Sequence, residues 1–127
     1  MTINDIQTLK ENINIIPIDE ILYLSVRYNY LDGVKLAINK NVDINIYDSL
    51  ALRAAAFNNN FEIVKYLVEH GSNVFACNNE SLYYAVNNEN IELIKYLTNL
   101  GSTIETHIEE NHKLKMILRT IKMNELL

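Results

Sequence analysis

The chain has 127 residues, of which 49% are hydrophobic and 21% charged, a composition typical of one ordinary globular domain. Its net charge of −5 disfavours binding to nucleic acid, because phosphate backbones are bound by basic surfaces. The chain has no secretory signal, no apolar run long enough to span a bilayer and one cysteine, so we expect a cytoplasmic protein that binds no membrane.

The first predicted element is a short amphipathic helix. Four apolar residues recur at helical spacing: Ile3, Ile6, Leu9 and Ile13. Pro17 follows and is expected to interrupt the helix. Residues 1–17 therefore predict an N-terminal cap that covers the apolar face of the next element.

A repeat occupies the middle of the chain. Residues 61–67, Phe-Glu-Ile-Val-Lys-Tyr-Leu, align with residues 91–97, Ile-Glu-Leu-Ile-Lys-Tyr-Leu, and a weaker copy lies one period before the first of these. The period of about 30 residues is typical of a solenoid, in which each unit is one supersecondary element. We place the three units over residues 18–47, 48–77 and 78–107.

Each unit is predicted to contain two helices. In the middle unit the first runs from about Leu50 to Asn58 and the second from about Asn60 to His70, since both carry apolar residues at helical spacing. Gly71 follows the second helix, where a residue in the left-handed conformation commonly ends a helix. In the other two units this position is held by Asn41 and Gly101.

This pattern resembles the ankyrin repeat. The resemblance is carried by Leu52, the pair Ala55 and Ala56, residues 61–67 and residues 71–74, together with their counterparts one period later. It covers about residues 20–106 and implies an all-α solenoid of about three helix-turn-helix units, which helical caps close at both ends.

The sequence departs from the usual ankyrin pattern in the finger, the segment that precedes each pair of helices. The period is shorter than the usual value of about 33 residues, and the familiar Thr-Pro-Leu-His is absent. We therefore expect shortened fingers that are loops rather than hairpins. Short units rich in Asn and Ile are similar to those of ankyrin repeat proteins from giant amoeba-infecting DNA viruses.

Residues 108–127 predict a closing helix. One face is apolar and comprises Leu114, Ile117, Leu118 and Ile121. The other side is basic and comprises Lys113, Lys115, Arg119 and Lys122. Such a stripe is either the solvated side of an amphipathic helix or a docking site for an acidic partner or a membrane surface. With a cap at each end, we expect a complete array.

No set of residues predicts catalysis, a cofactor or a metal. His107 and His112 are five positions apart, whereas two metal ligands on one helical face prefer the i,i+4 spacing of His-Glu-x-x-His. A hydrophilic segment that leads into the last helix is therefore favoured over a metal site. Cys77 has no basic neighbour that would activate its thiol. We therefore predict a protein that is not an enzyme.

The resemblance implies that a partner protein binds the concave face formed by the fingers and the inner helices. Carried over by position, the partner-binding residues are Arg27, Tyr28, Asn45, Tyr47, Asp48, Phe57, Asn58, Phe75, Asn78 and Asn87. Aromatic residues and Arg dominate the binding energy of many interfaces. An alternative role for Phe57 and Phe75 is packing between adjacent units.

The sequence therefore predicts a monomeric, non-enzymatic module for protein–protein interaction. Its partner is an unknown protein, and it is a host protein if the chain is viral. The alternative from another class is a structural or self-assembling protein, such as a virion component.

Overall fold

The computed structural model of the chain describes residues 2–104 and 108–125. These residues form eight α-helices and contain no strand: α1 (Ile6–Asn12), α2 (Ile18–Arg27), α3 (Leu31–Asn39), α4 (Ile46–Phe57), α5 (Phe61–Glu69), α6 (Ala76–Asn87), α7 (Ile91–Asn99) and α8 (Ile108–Glu125). Three helix pairs repeat along the chain and are named unit 1 (α2 and α3), unit 2 (α4 and α5) and unit 3 (α6 and α7). The first helix of each pair is called the inner helix and the second the outer helix. The predicted all-α solenoid is confirmed.

The N-terminal cap is built around Leu9, which is fully buried. Its helix, α1, begins at Asp5, whose carboxylate accepts a hydrogen bond from the backbone N–H of Thr8 at 2.7 Å. That hydrogen bond holds the pKa of Asp5 below its usual range. The helix ends before Pro17, as predicted, but Ile3 and Ile13 of the predicted apolar face lie outside it and Ile6 is exposed.

Within each unit, the inner helix ends in a tight turn through one left-handed residue. These residues are Asn29, Asn59 and Glu89, with φ of 53°, 60° and 53°. In the middle unit the backbone N–H of Asn60 donates to the carbonyl of Ala55 at 2.9 Å, which satisfies a carbonyl at the helix end. The outer helices end in the same way at Asn41, Gly71 and Gly101, as predicted.

The fingers of units 2 and 3 are short, as expected, but each contains a turn of left-handed helix rather than an irregular loop. The left-handed turn of unit 2 is Tyr47–Ser49, with φ of 52°, 53° and 57°. The left-handed turn of unit 3 is Cys77–Asn79, with φ of 54°, 56° and 62°. Three consecutive non-glycine residues in this conformation are costly, at about 1–2 kcal/mol each. The predicted unit boundaries at 47/48 and 77/78 fall inside these two turns.

Side chains of unit 2 hold its left-handed turn in place. Arg53 donates from Nη2 to the carbonyl of Tyr47 at 2.7 Å and from Nε to the carbonyl of Asp48 at 2.9 Å. Asn45 donates from Nδ2 to the carbonyl of Gly71 at 3.1 Å and accepts from the backbone N–H of Asn73 at 2.9 Å. These hydrogen bonds offset part of the conformational cost of the turn.

Asparagine side chains also tie each unit to the one before it. Asn60 donates from Nδ2 to the carbonyl of Val26 at 3.2 Å, and Asn88 donates to the carbonyl of Phe57 at 3.1 Å. The abundance of asparagine therefore has a structural role, both in left-handed positions and in hydrogen bonds between units.

The core runs through the whole stack. Its fully buried large side chains include Leu22, Leu52, Ile63, Leu67, Leu82, Leu93, Ile94 and Leu97. Leu67 and Leu97, which occupy the same position of the two aligned segments, are both fully buried. Unit 1 differs at Gly33, the counterpart of Ile63, because a Cβ on this glycine would lie 2.1 Å from Oγ of Ser25 and 2.8 Å from a ring carbon of Tyr30. The side chains of Ser25 and Tyr30 take the space that an aliphatic side chain fills in the later units.

The closing helix α8 packs against unit 3 through Leu114, which is buried as predicted. Lys113, assigned to the solvated side, pairs with Glu89 at 3.1 Å. Lys95 of α7 pairs with Glu125 at 3.3 Å. The basic stripe of Lys115, Arg119 and Lys122 is exposed. None of the helices in the described part of the chain is both long and apolar enough to cross a bilayer.

Candidate functional site

The candidate site is the face formed by the inner helices α2, α4 and α6 and the left-handed turns at the start of α4 and α6. We call it the inner-helix face. Consecutive inner helices contact one another along this face. The left-handed turns lie at the N-terminal end of α4 and of α6, so the face has a turn end and an opposite, C-terminal end.

A groove opens between units 1 and 2 at the turn end. It encloses about 270 Å³ and is called the unit 1–2 groove; its lining residues are Asp19, Glu20, Leu22, Tyr23, Ile46, Tyr47, Leu50 and Ala51. Tyr23 and Tyr47 form its aromatic walls and are 42% and 69% exposed. Leu22 and Ala51 are buried beneath them. The groove therefore has an apolar floor and two exposed rings.

The equivalent space between units 2 and 3 is crossed by a polar network. Arg53 pairs through Nη1 with Oε2 of Glu80 at 2.8 Å, and the hydroxyl of Tyr84 donates to Oε1 of Glu80 at 2.6 Å. One period earlier, the counterparts of these three residues are Tyr23, Leu50 and Ala54. The two inter-unit spaces therefore differ chemically although the backbone repeats.

The network shifts the pKa values of its members. Burial of the Glu80 carboxyl raises its pKa, but the hydrogen bonds from Tyr84 and Arg53 outweigh burial, so the net pKa lies below the usual range. The hydrogen bond to Glu80, together with burial, raises the pKa of Tyr84 to about 12. The network is therefore held in one protonation state near neutral pH.

The predicted aromatic residues Phe57 and Phe75 are exposed and also pack against other parts of the protein. Phe57 is 61% exposed, and its ring also meets the ring of Tyr84 edge to face at 5.1 Å. Phe75 is 50% exposed, and its ring carbons lie 3.9 Å from where a Cβ on Gly101 would be. The ring of Phe57 thus packs on unit 3, the ring of Phe75 lies beside the end of α7, and each leaves half or more of its surface open.

Other predicted residues lie at the C-terminal end of the face. Arg27, Asn58 and Asn87 are exposed there. Tyr28 is half-buried, and its hydroxyl donates to the carbonyl of Ile3 at 3.2 Å, so it holds the N-terminal cap. At about 1.5 Å per residue along a helix, this end is about 12 Å from the left-handed turns, so the predicted site residues form two groups.

At the turn end, Tyr47, Asp48 and Asn78 are exposed within the left-handed turns. The sequence predicts that Asn45 contacts a partner, but both polar atoms of its side chain are engaged in hydrogen bonds inside the protein. Its role is to brace the finger, because an asparagine preceding a strained turn can satisfy nearby backbone groups.

Sequence reasoning missed the residues that give the unit 1–2 groove its chemistry: Asp19, Glu20, Tyr23 and Leu50. A signal for them exists in the sequence. The position held by Arg53 in unit 2 is held by Tyr23 in unit 1, so a comparison of the units at each position separates the two inter-unit spaces.

The family model for ankyrin repeats, in three copies, matches residues 22–108 of the chain. The chain belongs to the ankyrin repeat family. Ankyrin repeats are generally protein–protein interaction modules and are typically non-catalytic. A search of curated proteins and a search of solved structures each gave no match.

This ankyrin repeat chain shows no grouping of metal ligands in its described residues. Across residues 2–104 and 108–125, no three His, Cys, Asp or Glu side chains lie so that they could hold a metal ion. His107, one half of the histidine pair considered from the sequence, lies outside the described residues. Cys77 is a free, exposed thiol in the left-handed turn of unit 3.

Proposed function

We propose that this chain binds a partner protein on its inner-helix face and catalyses no reaction there. The observation that carries the proposal is the exposure of three aromatic side chains on that face. Tyr47, Phe57 and Phe75 are 69%, 61% and 50% exposed. Exposed aromatic rings held on a rigid surface are typical anchors of protein interfaces, because burying them on binding releases much apolar surface from water.

The backbone beneath these rings supports the proposal. Tyr47 lies in a left-handed turn whose carbonyls are held by Arg53, and Phe75 lies shortly before the second such turn. A surface fixed in this way loses little conformational entropy when a partner binds. The face is therefore preorganised for binding.

We further propose that the partner is a host protein met in the host cytoplasm and that the chain acts as a monomer. The proposal is supported by the length and composition of the units, which are short and rich in Asn and Ile and in this resemble those of the ankyrin repeat proteins of giant amoeba-infecting viruses.

The experiment is affinity capture from lysate of a candidate host cell, followed by binding measurements with the purified partner. Single alanine substitutions at Tyr47, Phe57 and Phe75 are expected to weaken binding by at least about 1 kcal/mol each, roughly fivefold in Kd. The control is the charge reversal of Glu62 and Lys65, both exposed on the outer helix α5, which should leave Kd unchanged.

Two results would contradict the proposal. If the Glu62/Lys65 reversal abolishes binding while Tyr47→Ala does not, the partner binds the outer helices. If Phe57→Ala and Phe75→Ala lower the melting temperature by several degrees with no separate effect on Kd, these rings serve packing between units.

A second candidate function, self-assembly as a structural protein, is favoured by an apolar groove beside the closing helix. The groove lies between α7 and α8, and Ile91 and Met116 in its lining are 42% and 55% exposed. Exposed apolar surface at the end of a stack is where a second stack would dock. Light scattering at increasing concentration tests this: a growing mass that Met116→Asp abolishes supports assembly, and a constant monomer mass refutes it.

A further inference from the structure

We infer that the unit 1–2 groove binds a basic segment of the partner protein, in which an apolar side chain is flanked by Lys or Arg. This inference rests on the proposed function and specifies the chemistry of the partner. It depends on the apolar floor of the groove, on the carboxylates at its rim, and on the contrast with the space between units 2 and 3.

The floor and walls of the groove select an apolar side chain. Leu22 and Ala51 in its lining are 1% and 3% exposed, and Tyr23 and Tyr47 add two exposed aromatic rings to the lining. The enclosed volume of about 270 Å³ lies below the range of about 300–1,000 Å³ of most small-molecule pockets. The groove therefore suits one large side chain of an extended segment.

The rim of the groove carries unpaired negative charge. Asp19 and Glu20 line it in the first turn of α2, and Asp48 lies in the adjacent left-handed turn. In the part of the chain that the structure describes, none of these three carboxylates takes part in an ion pair. A partner cation beside the apolar anchor would meet complementary charge, which steers association and favours basic over acidic segments.

The repeat itself provides an internal comparison. Between units 2 and 3 the chain supplies its own cation, since Arg53 pairs with Glu80 across the inter-unit space. The counterpart of Arg53 in unit 1 is Tyr23, so the unit 1–2 groove has an acidic rim without an internal guanidinium at that position. The counterpart of Glu80 is Leu50, so the unit 1–2 groove has an aromatic and an aliphatic side chain where the later space has its ion pair. Asp19 and Glu20 at its rim are therefore left for a cation of the partner.

The experiment selects from a random peptide display library on the purified chain. The expected result is enrichment of peptides in which an aromatic or long aliphatic residue is flanked by Lys or Arg. A synthetic peptide of the enriched sequence should bind at least about tenfold more weakly to Glu20→Lys, and its affinity should fall with added salt. Asp19→Asn combined with Glu20→Gln, a milder change, should weaken binding about threefold or more.

The matched control is Glu62→Lys, which makes the same change of charge on the exposed side of α5. It should leave the affinity within about twofold. Circular dichroism of each variant must match the unchanged chain, and the neutral double variant is decisive if Glu20→Lys does not fold.

The outcomes separate the inference from the proposed function. The inference is overturned if the library yields no binding peptide, or if the selected peptides carry no excess of Lys and Arg. It is also overturned if Glu20→Lys and Glu62→Lys change the peptide affinity equally. If peptide binding is lost in Tyr47→Ala but not in the acidic-rim variants, the proposed binding face stands and the basic partner is wrong. If basic peptides bind but no inner-helix variant weakens them, both the inference and the proposed face are wrong.

Discussion

Replacing Leu67 with alanine is expected to lower the free energy of unfolding by about 3–4 kcal/mol. The side chain is fully buried in α5, in the middle unit of the stack. Removing three carbon atoms costs about 0.8 kcal/mol each in lost apolar burial, about 2.4 kcal/mol together. The cavity left behind adds a further contribution, which brings the total within the range of about 2–5 kcal/mol for buried Leu→Ala substitutions.

The assay is urea-induced unfolding monitored by circular dichroism. Because neighbouring units stabilise one another, damage to the middle unit should shift the main transition rather than create a separate one. The matched control is Leu100→Ala, which makes the same chemical change at a residue that is 42% exposed at the end of α7. This control substitution should lower the free energy of unfolding by less than about 1 kcal/mol. Equal shifts for the two variants would mean that the helical register is wrong.

Three further predictions concern the polar network, a helix end and metal binding. Glu80→Gln should lower the pKa of Tyr84 from about 12 toward its usual value of 10, as followed by ultraviolet titration. In the unchanged chain, the stability that Glu80 contributes is present above its usual pKa and is lost as pH falls through its lowered pKa. The stability that Tyr84 contributes is present below pH 10 and is lost as pH rises through about 12. A free energy of unfolding that stays constant in both pH ranges would contradict this. Gly71→Ala should lower the free energy of unfolding by about 1 kcal/mol, because φ is +103° at this residue, even though no atom lies within 4 Å of where the new Cβ would be. An unchanged melting temperature would contradict this and show that the turn relaxes. Elemental analysis should find no zinc at one per chain, and zinc lost on substituting His107 and His112 would prove the spacing argument wrong.

The fold could be predicted from the sequence because the repeat fixes both the helices and their burial. Leu67 and Leu97 occupy the same position of two aligned units, so helical spacing places both in the core. The left-handed turns could not be predicted. Tyr47 and Ser49 are poor residues for that conformation, and the hydrogen bonds that offset part of its cost, from Arg53 to the turn and from Ser49 to Asn45, exist only in the folded chain.

The candidate site could be predicted less well than the fold, for a related reason. Repetition shows what the units share, whereas the unit 1–2 groove exists because Tyr23 differs from Arg53 at the same position. The place of Asn45 in a finger predicts contact with a partner, but periodicity does not show that its side chain also bonds to the backbone of Gly71 and Asn73. Side-chain networks that cross between units are set by three-dimensional proximity, which periodicity does not report.

The left-handed turns constrain how such a gene can change over time. The turn of unit 2 is a short segment fixed at both ends, by Arg53 on one side and on the other by Asn45, which bonds to the backbone that follows α5. Inserting or deleting one codon within it would disturb the register of the hydrogen bonds that cross the turn, such as those from Arg53 to Tyr47 and from Asn73 to Asn45. A duplication or loss of one whole period would leave those bonds in register. Lineages of this protein should therefore differ in the number of units far more readily than in the length of any one.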